Sequence, residues 1–182
     1  MKAYTSNNIR NIAVLGHGGK GKTTLCEAML YLAGATDRLG KVADGNTVLD
    51  FDAEEKRRKS SVSSAMAAIE WDNTKLNIID APGLFDFESG AAEAVRAAEA
   101  VLIVTSAGSG VDVGTEKAFK AAEKRGLAKF FAITKTDSDH RSFYKTFEAL
   151  KEVYGNKLCP TIIPYMEGNI TKSYVNLMTG MA

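Results

Sequence analysis

Residues Gly16 to Thr23 read Gly-His-Gly-Gly-Lys-Gly-Lys-Thr and satisfy the spacing G-x-x-x-x-G-K-[ST] at every constrained position. That spacing suits the wrapping of main chain around a row of phosphates. Glycine lets the backbone pass close to the anion, so that successive N–H groups across Gly16, His17, Gly18, Gly19, Lys20 and Gly21 face its oxygens. A helix opening at this point adds its positive N-terminus, and Thr24 continues its first turn. The Lys22 ammonium can then reach the terminal phosphates, and the Thr23 hydroxyl can ligate magnesium.

Two further strings supply what such a loop needs. Asp80-Ala81-Pro82-Gly83, followed by Leu84, ends an apolar run. A carboxylate there holds the shell of a magnesium ion, and Gly83 can turn its N–H toward a γ-phosphate. Thr134-Lys135-Thr136-Asp137 ends another apolar run. The Asp137 carboxylate can accept two N–H bonds from the edge of guanine while the Lys135 stem packs on the base face. Adenine lacks that donor pair, so this position selects guanine. A T-K-x-D string is weak alone and gains weight from the glycine loop upstream.

Each string must be held at the end of a strand, and the apolar pattern provides the strands. Asn11–Leu15, Leu76–Asp80, Val101–Thr105 and Phe130–Thr134 are continuous apolar runs of the kind buried on both faces. Helical spacing follows over Lys22–Ala33, Glu88–Ala98, Glu116–Arg125 and Phe143–Val153, with Leu25, Ala28, Met29 and Leu32 on one face of the first. Strands alternating with helices imply parallel strands with helices on both sides. Ser64–Trp71 reads as an antiparallel edge strand returning through a turn at Asp72-Asn73, with Trp71 packed at the sheet edge. Thr161–Pro164 begins a last strand. Residues 34–63 are charged and without sustained period, which in a compact domain marks a functional or disordered segment.

The chain is 182 residues long, with 45% hydrophobic and 25% charged residues, as expected for one globular domain. A net charge of +1 gives no footprint for DNA. Cys26 and Cys159 lie outside any metal-ligand spacing and read as reduced thiols. No apolar run approaches the ~20 residues that span a bilayer. The expectation is a soluble, cytoplasmic protein with no membrane association.

With three motifs in order, the chain resembles the G domain of the translational GTPases, most closely elongation factor G and its paralogues. Asn46–Glu55 is similar to that family's approach to switch I, Asp80–Phe87 to switch II, and Gly110–Glu116 to the stretch after the fourth strand. The resemblance implies an α/β fold, a P-loop three-layer sandwich whose mostly parallel sheet has one antiparallel edge strand. Residues 1–160 would form the G domain. Residues 161–182 would begin the subdomain that elongation factor G inserts there, so the chain reads as a monomeric N-terminal fragment of a larger multidomain protein. It also implies GTP and GDP as substrate and product, Mg2+ held by Thr23, Ser61 and Asp80, the ribosome as partner, and Lys22, Ser61 and Gly83 as catalytic residues.

Four positions depart from the family pattern. Gly19 stands where the loop carries an Asp, and Ser61 where switch I carries a Thr. Leu84 replaces the switch II His that positions the attacking water, and leucine makes no hydrogen bond. Thr134 replaces the Asn of N-K-x-D and cannot span two contacts as the amide does. The departures leave binding secure and open a second reading, a nucleotide-dependent switch with little hydrolysis. A third reading, a P-loop ATPase or kinase, follows from Thr134. Lys56-Arg57-Arg58-Lys59 reads either as a solvated loop or as a contact for ribosomal RNA phosphates. Lys20 reads as touching phosphate or pointing to solvent, and His140 as a surface residue.

Overall fold

A computed structural model describes residues 2–137, 142–167 and 170–181. His140, Asn169 and Ala182 lie outside the described residues. Five strands form the central sheet: β1 (Ile9–Leu15), β2 (Ala65–Trp71), β3 (Thr74–Asp80), β4 (Ala100–Ser106) and β5 (Ala128–Thr134), in the order β2-β3-β1-β4-β5. Strands β3, β1, β4 and β5 pair in parallel, and β2 pairs antiparallel to β3. Five helices accompany them: α1 (Lys22–Leu32), α2 (Ala53–Arg58), α3 (Glu88–Ala97), α4 (Val113–Lys124) and α5 (Phe143–Tyr154).

The period-two alternation of β1 shows how the layers form. Ala13 and Leu15 pack on one side with Ala94, Val95 and Ala98 near α3 and with Ala118 and Ala122 of α4. Val14 packs on the other side with Cys26 and Leu30 of α1. Because both faces are covered, consecutive residues are apolar along stretches such as Ile12–Leu15 and Val101–Val104, rather than alternate ones. The expected three-layer architecture, with its single antiparallel edge strand, is what the structure shows. Strand β2 returns through Asp72 and Asn73, both at positive φ (45° and 57°), the geometry of a two-residue hairpin turn.

Three expectations need correction. The buried stripe of α1 comprises Lys22, Thr23, Cys26, Glu27 and Leu30, while Leu32 is 76% exposed. Leu25 and Met29 do pack against the core, but the most buried positions of the helix include Lys22, Thr23 and Glu27, which bond to neighbouring loops and to Asp80. Trp71 is 61% exposed at the end of the edge strand, with one side of β2 unpaired. Thr161–Pro164 does begin a strand, β6 (Ile162–Glu167). It pairs only with β7 (Ile170–Asn176) in a separate two-stranded sheet, which leaves β5 at the edge of the main sheet. Among the described residues no helix is long and apolar enough to cross a membrane.

Candidate nucleotide site

Three parallel strands deliver the three motifs to one end of the sheet. Leu15 ends β1, and Gly16 turns the chain at φ 137° beneath β4, where a Cβ would overlap the Val104 carbonyl oxygen. Gly19 and Gly21 also sit at positive φ (71° and 88°), a backbone path that favours glycine. Lys22 then opens α1 with its ammonium donating to Gly16 O at 3.1 Å and His17 O at 3.0 Å. Burial pushes its pKa down against the pull of the Asp80 charge. Gly83 lies directly on this loop, since a Cβ there would meet Lys22 Nζ and fall 2.8 Å from both Gly16 O and Gly18 N.

Beside the loop, four buried oxygen-bearing side chains converge. Thr23 Oγ1 donates to Asp80 Oδ2 at 2.6 Å and stands 3.1 Å from Ser61 Oγ. Ser61 Oγ donates in turn to Asp50 Oδ1 at 2.7 Å. Asp80 Oδ1 and Asp50 Oδ2 are buried and find no hydrogen-bond partner among the described residues. Burial pushes Asp80 up to about 7, with the Thr23 hydrogen bond and the Lys22 charge pulling the other way. Burial likewise raises Asp50, opposed by its bond from Ser61. Two unpartnered carboxylate oxygens beside two hydroxyls form the hard oxygen environment that suits magnesium. Among the described residues no group of three or more His, Cys, Asp and Glu could hold a metal without such help. Hydroxyls and further oxygen ligands would be needed to complete any coordination here.

The Thr134–Asp137 string braces the loop from behind. Lys135 Nζ donates to Gly19 O at 2.7 Å. The Thr134 hydroxyl lies 2.7 Å from Lys20 O and 3.1 Å from Thr105 O. Thr134 therefore reaches two carbonyls after all, tying β5 to the loop and to β4 with one proton to share. Asp137 is exposed and Thr136 half-buried. A cavity of about 210 Å³ lies between the loop and residues 59–61, with Lys135 at its wall. A roomier cleft of about 400 Å³ runs between α3 and α4, but its wall is mostly apolar and it is less suited to phosphate.

Residues 7–179 match the family model for the elongation factor Tu GTP binding domain. The chain belongs to that family. It is 36% identical over 162 residues to an elongation factor G-like protein of Mycobacterium tuberculosis, covering 89% of this chain and 23% of that protein. An elongation factor G-like protein of Synechocystis is 33% identical over 182 residues, covering all of this chain and 27% of the relative. A mitochondrial ribosome-releasing factor 2 of Debaryomyces hansenii is 35% identical over 167 residues, covering 92% and 19%. A crystal structure from Thermus thermophilus superposes with a TM-score of 0.89 at 37% identity, covering 94% of this chain and 26% of that one. The chain thus spans about a quarter or less of the length of these relatives. These matches bear out the resemblance to the G domain of elongation factor G-like translational GTPases.

Within this G domain the remaining site residues fall as follows. Ala81 and Pro82 are buried and Thr24 is exposed. The His17 ring lies 5.5 Å from that of Phe85, tilted by 58°, and its Nδ1 is buried without a partner among the described residues. Leu84 covers the loop, with its Cδ2 2.8 Å from where a Cβ on Gly18 would be. The Lys20 side chain is 15% exposed, so it does not point to solvent. It pairs with Asp112 at 3.2 Å, and Asp112 caps α4 through its bond from Thr115 N at 2.8 Å.

Three buried carboxylates that position the site escape a reading of the sequence. Asp50 is the partner of Ser61. Glu27 Oε1 accepts from Val48 N at 2.8 Å and Leu49 N at 3.0 Å, fixing the chain just before Asp50. Glu55 Oε1 accepts from Val62 N at 2.9 Å and Ser63 N at 3.1 Å, fixing it just after Ser61. Glu55 also closes a capping box with Asp52 at the start of α2. The D-x-x-E spacing of that box is visible in the sequence. For Glu27 the signal is an acid in the i, i+3, i+4, i+7 stripe set by Thr23, Cys26 and Leu30.

Proposed function

We propose that this G domain binds magnesium-chelated GTP and GDP and hydrolyses GTP slowly, as part of an elongation factor G-like factor acting on the ribosome. The observation that carries the reading is the convergence of Thr23, Ser61, Asp50 and Asp80, with two unpartnered carboxylate oxygens, beside the glycine loop.

In this reading, the loop amides from Gly18 to Lys22 cradle the phosphates and the Lys22 ammonium neutralises their charge. Thr23 and Ser61 would ligate the ion directly, and Asp80 and Asp50 would hold its water shell. Magnesium, when bound, neutralises charge between the β- and γ-phosphates. Gly83 offers its N–H to the terminal phosphate from switch II. Lys135 packs along the base and Asp137 accepts from its edge to select guanine. The γ-phosphate would order the segments around Ser61 and Gly83, and its loss would release them.

Leu84 weakens the hydrolytic step, because a leucine at the loop cannot orient water. Its place over Gly18 also favours the second reading, a switch that binds nucleotide and turns over little unless the ribosome supplies what is missing. Residues 161–182, which carry the separate β6–β7 sheet, would begin the inserted subdomain, with residues 1–160 as the G domain proper. The setting of this reading is the cytoplasm, with no membrane and no DNA as partner and the fragment a monomer.

Calorimetric titration with GDP, GTP and ATP in magnesium tests the assignment, followed by phosphate release with and without ribosomes. Guanine-selective binding that Asp137→Asn abolishes is expected. Preference for ATP, or no change in Asp137→Asn, would instead support the kinase or ATPase reading.

A further inference from the structure

Lys59 ends α2 in the left-handed region, at φ 54° and ψ 41°. Glycine adopts that conformation freely, whereas a residue with a Cβ is strained in it. The strain has a local origin. Lys59 N and Ser60 N both bond to Glu55 O, while the Glu55 carboxylate catches Val62 N and Ser63 N. The chain must therefore reverse at residue 59 to carry Ser61 to Thr23. Backbone geometry here favours glycine, so the lysine side chain calls for a separate explanation.

The surroundings of residue 59 supply one. Lys59 lines the 210 Å³ cavity together with Gly18, Gly19, Lys22, Ser61 and Gly83. The two arginines before it are already engaged, since Arg57 and Arg58 both pair with Glu54, at 2.7 and 2.5 Å. No ion pair is found for Lys59 among the described residues, and the residue is exposed. The strained turn therefore fixes the base of a free cation at the wall of a cavity that Asp50, Ser60 and Ser61 also line.

We propose that Lys59 is a second phosphate-binding cation of this cavity, carried on switch I, which recognises the terminal phosphate of a nucleoside triphosphate. The proposal rests on the nucleotide-binding reading above and deepens it. Lys22, fixed on the phosphate loop, serves di- and triphosphates alike. Lys59, two residues from Ser61, adds attraction only where a third phosphate is present, so it sets the preference for triphosphate over diphosphate.

The test compares the whole chain with Lys59→Gly, Lys59→Met and Lys59→Arg. Dissociation constants for GDP and for a non-hydrolysable GTP analogue are measured by calorimetry in magnesium, together with thermal unfolding. Lys59→Gly removes the charge and relieves the backbone, so its melting temperature should equal or exceed that of the parent. Its affinity for the analogue should fall about tenfold while its affinity for GDP changes less than about twofold. Lys59→Met should show the same selective loss with the Cβ kept, and Lys59→Arg should retain the parent's selectivity. If Gly and Met variants keep the parent's ratio of the two affinities, or lose both affinities equally, Lys59 does not recognise the terminal phosphate. Parental binding is read first: a parent that binds neither nucleotide overturns the nucleotide reading itself, whereas a binding parent with unaltered variants overturns only the role of Lys59.

Discussion

Thr23 and Asp80, 57 residues apart in sequence, share a 2.6 Å hydrogen bond at the buried end of α1. The bond joins the phosphate loop to the end of β3 and leaves the second Asp80 oxygen without a partner among the described residues. A neutral amide in place of that carboxylate keeps the shape and removes the charge that, in the proposed reading, would hold the shell of a divalent ion. Asp80→Asn should therefore weaken GDP binding in magnesium by about tenfold or more while changing affinity in EDTA little. Titration with and without magnesium checks this, and an equal loss in both conditions would assign Asp80 a purely structural role.

Glu55 is 1% exposed and holds the main chain on the far side of Ser61. Glu55→Ala leaves the amides of Val62 and Ser63 without their acceptor in a partly buried setting, at about 1–3 kcal/mol for a group that stays dry. The expected result is a lower melting temperature and much faster hydrogen exchange at Ser61 to Ser63, with exchange in β1 unchanged. Exchange followed by mass spectrometry distinguishes this from a global loss of the fold.

How much of this is legible in the sequence depends on whether a feature is local. The loop from Gly16 to Thr23 and the strand ends at Asp80 and Thr134 are written in contiguous residues, so spacing alone places them. Burial on both faces makes the inner parts of β1, β3 and β4 apolar runs, and those runs carry the fold class, whereas β5 is apolar although Phe130 is 57% exposed at the sheet edge. Asp50, Glu27 and Glu55 are not legible as site residues. Each acts by bonding to main-chain amides or hydroxyls brought near by the fold, and the capping-box spacing of Glu55 or the stripe position of Glu27 marks the residue without naming that partner. The stretch 34–63 looks structureless because its order comes from those buried carboxylates rather than from an apolar period. At Thr134 the sequence shows only the missing amide, while the actual reach to Lys20 O and Thr105 O depends on how close β5 lies to the loop.

Tyr154 stacks at 4.1 Å on Phe119, with its hydroxyl buried and unpartnered among the described residues. Burial pushes its pKa up to about 12, and the charges of Glu116 and Asp112 add to the rise. The unfolded phenol titrates near ~10. The folded state thus favours the neutral form, and this contribution to stability is complete below pH ~10 and lost as pH rises through about 12. Tyr154→Phe keeps the ring stack and removes the titrating group. It should be as stable as the parent or slightly more so at about pH 8, and should lose less stability between about pH 9 and 11. Thermal melts of both proteins at those pH values decide it, and parallel losses would show that Tyr154 does not carry the alkaline transition.

Leu84 sits 37% exposed against Gly18, on the residue next to the glycine that meets Lys22. In the proposed reading a histidine ring at this position, beside the loop, would orient the attacking water. Orientation contributes heavily in phosphoryl transfer, because the protein otherwise only positions and neutralises. Leu84→His should raise single-turnover GTP hydrolysis by about tenfold or more in the presence of ribosomes and leave GDP affinity within about twofold. Phosphate release from preloaded protein measures the first and calorimetry the second. An unchanged rate at unchanged affinity would mean that hydrolysis is limited elsewhere, with Gly19 in the loop the next position to vary.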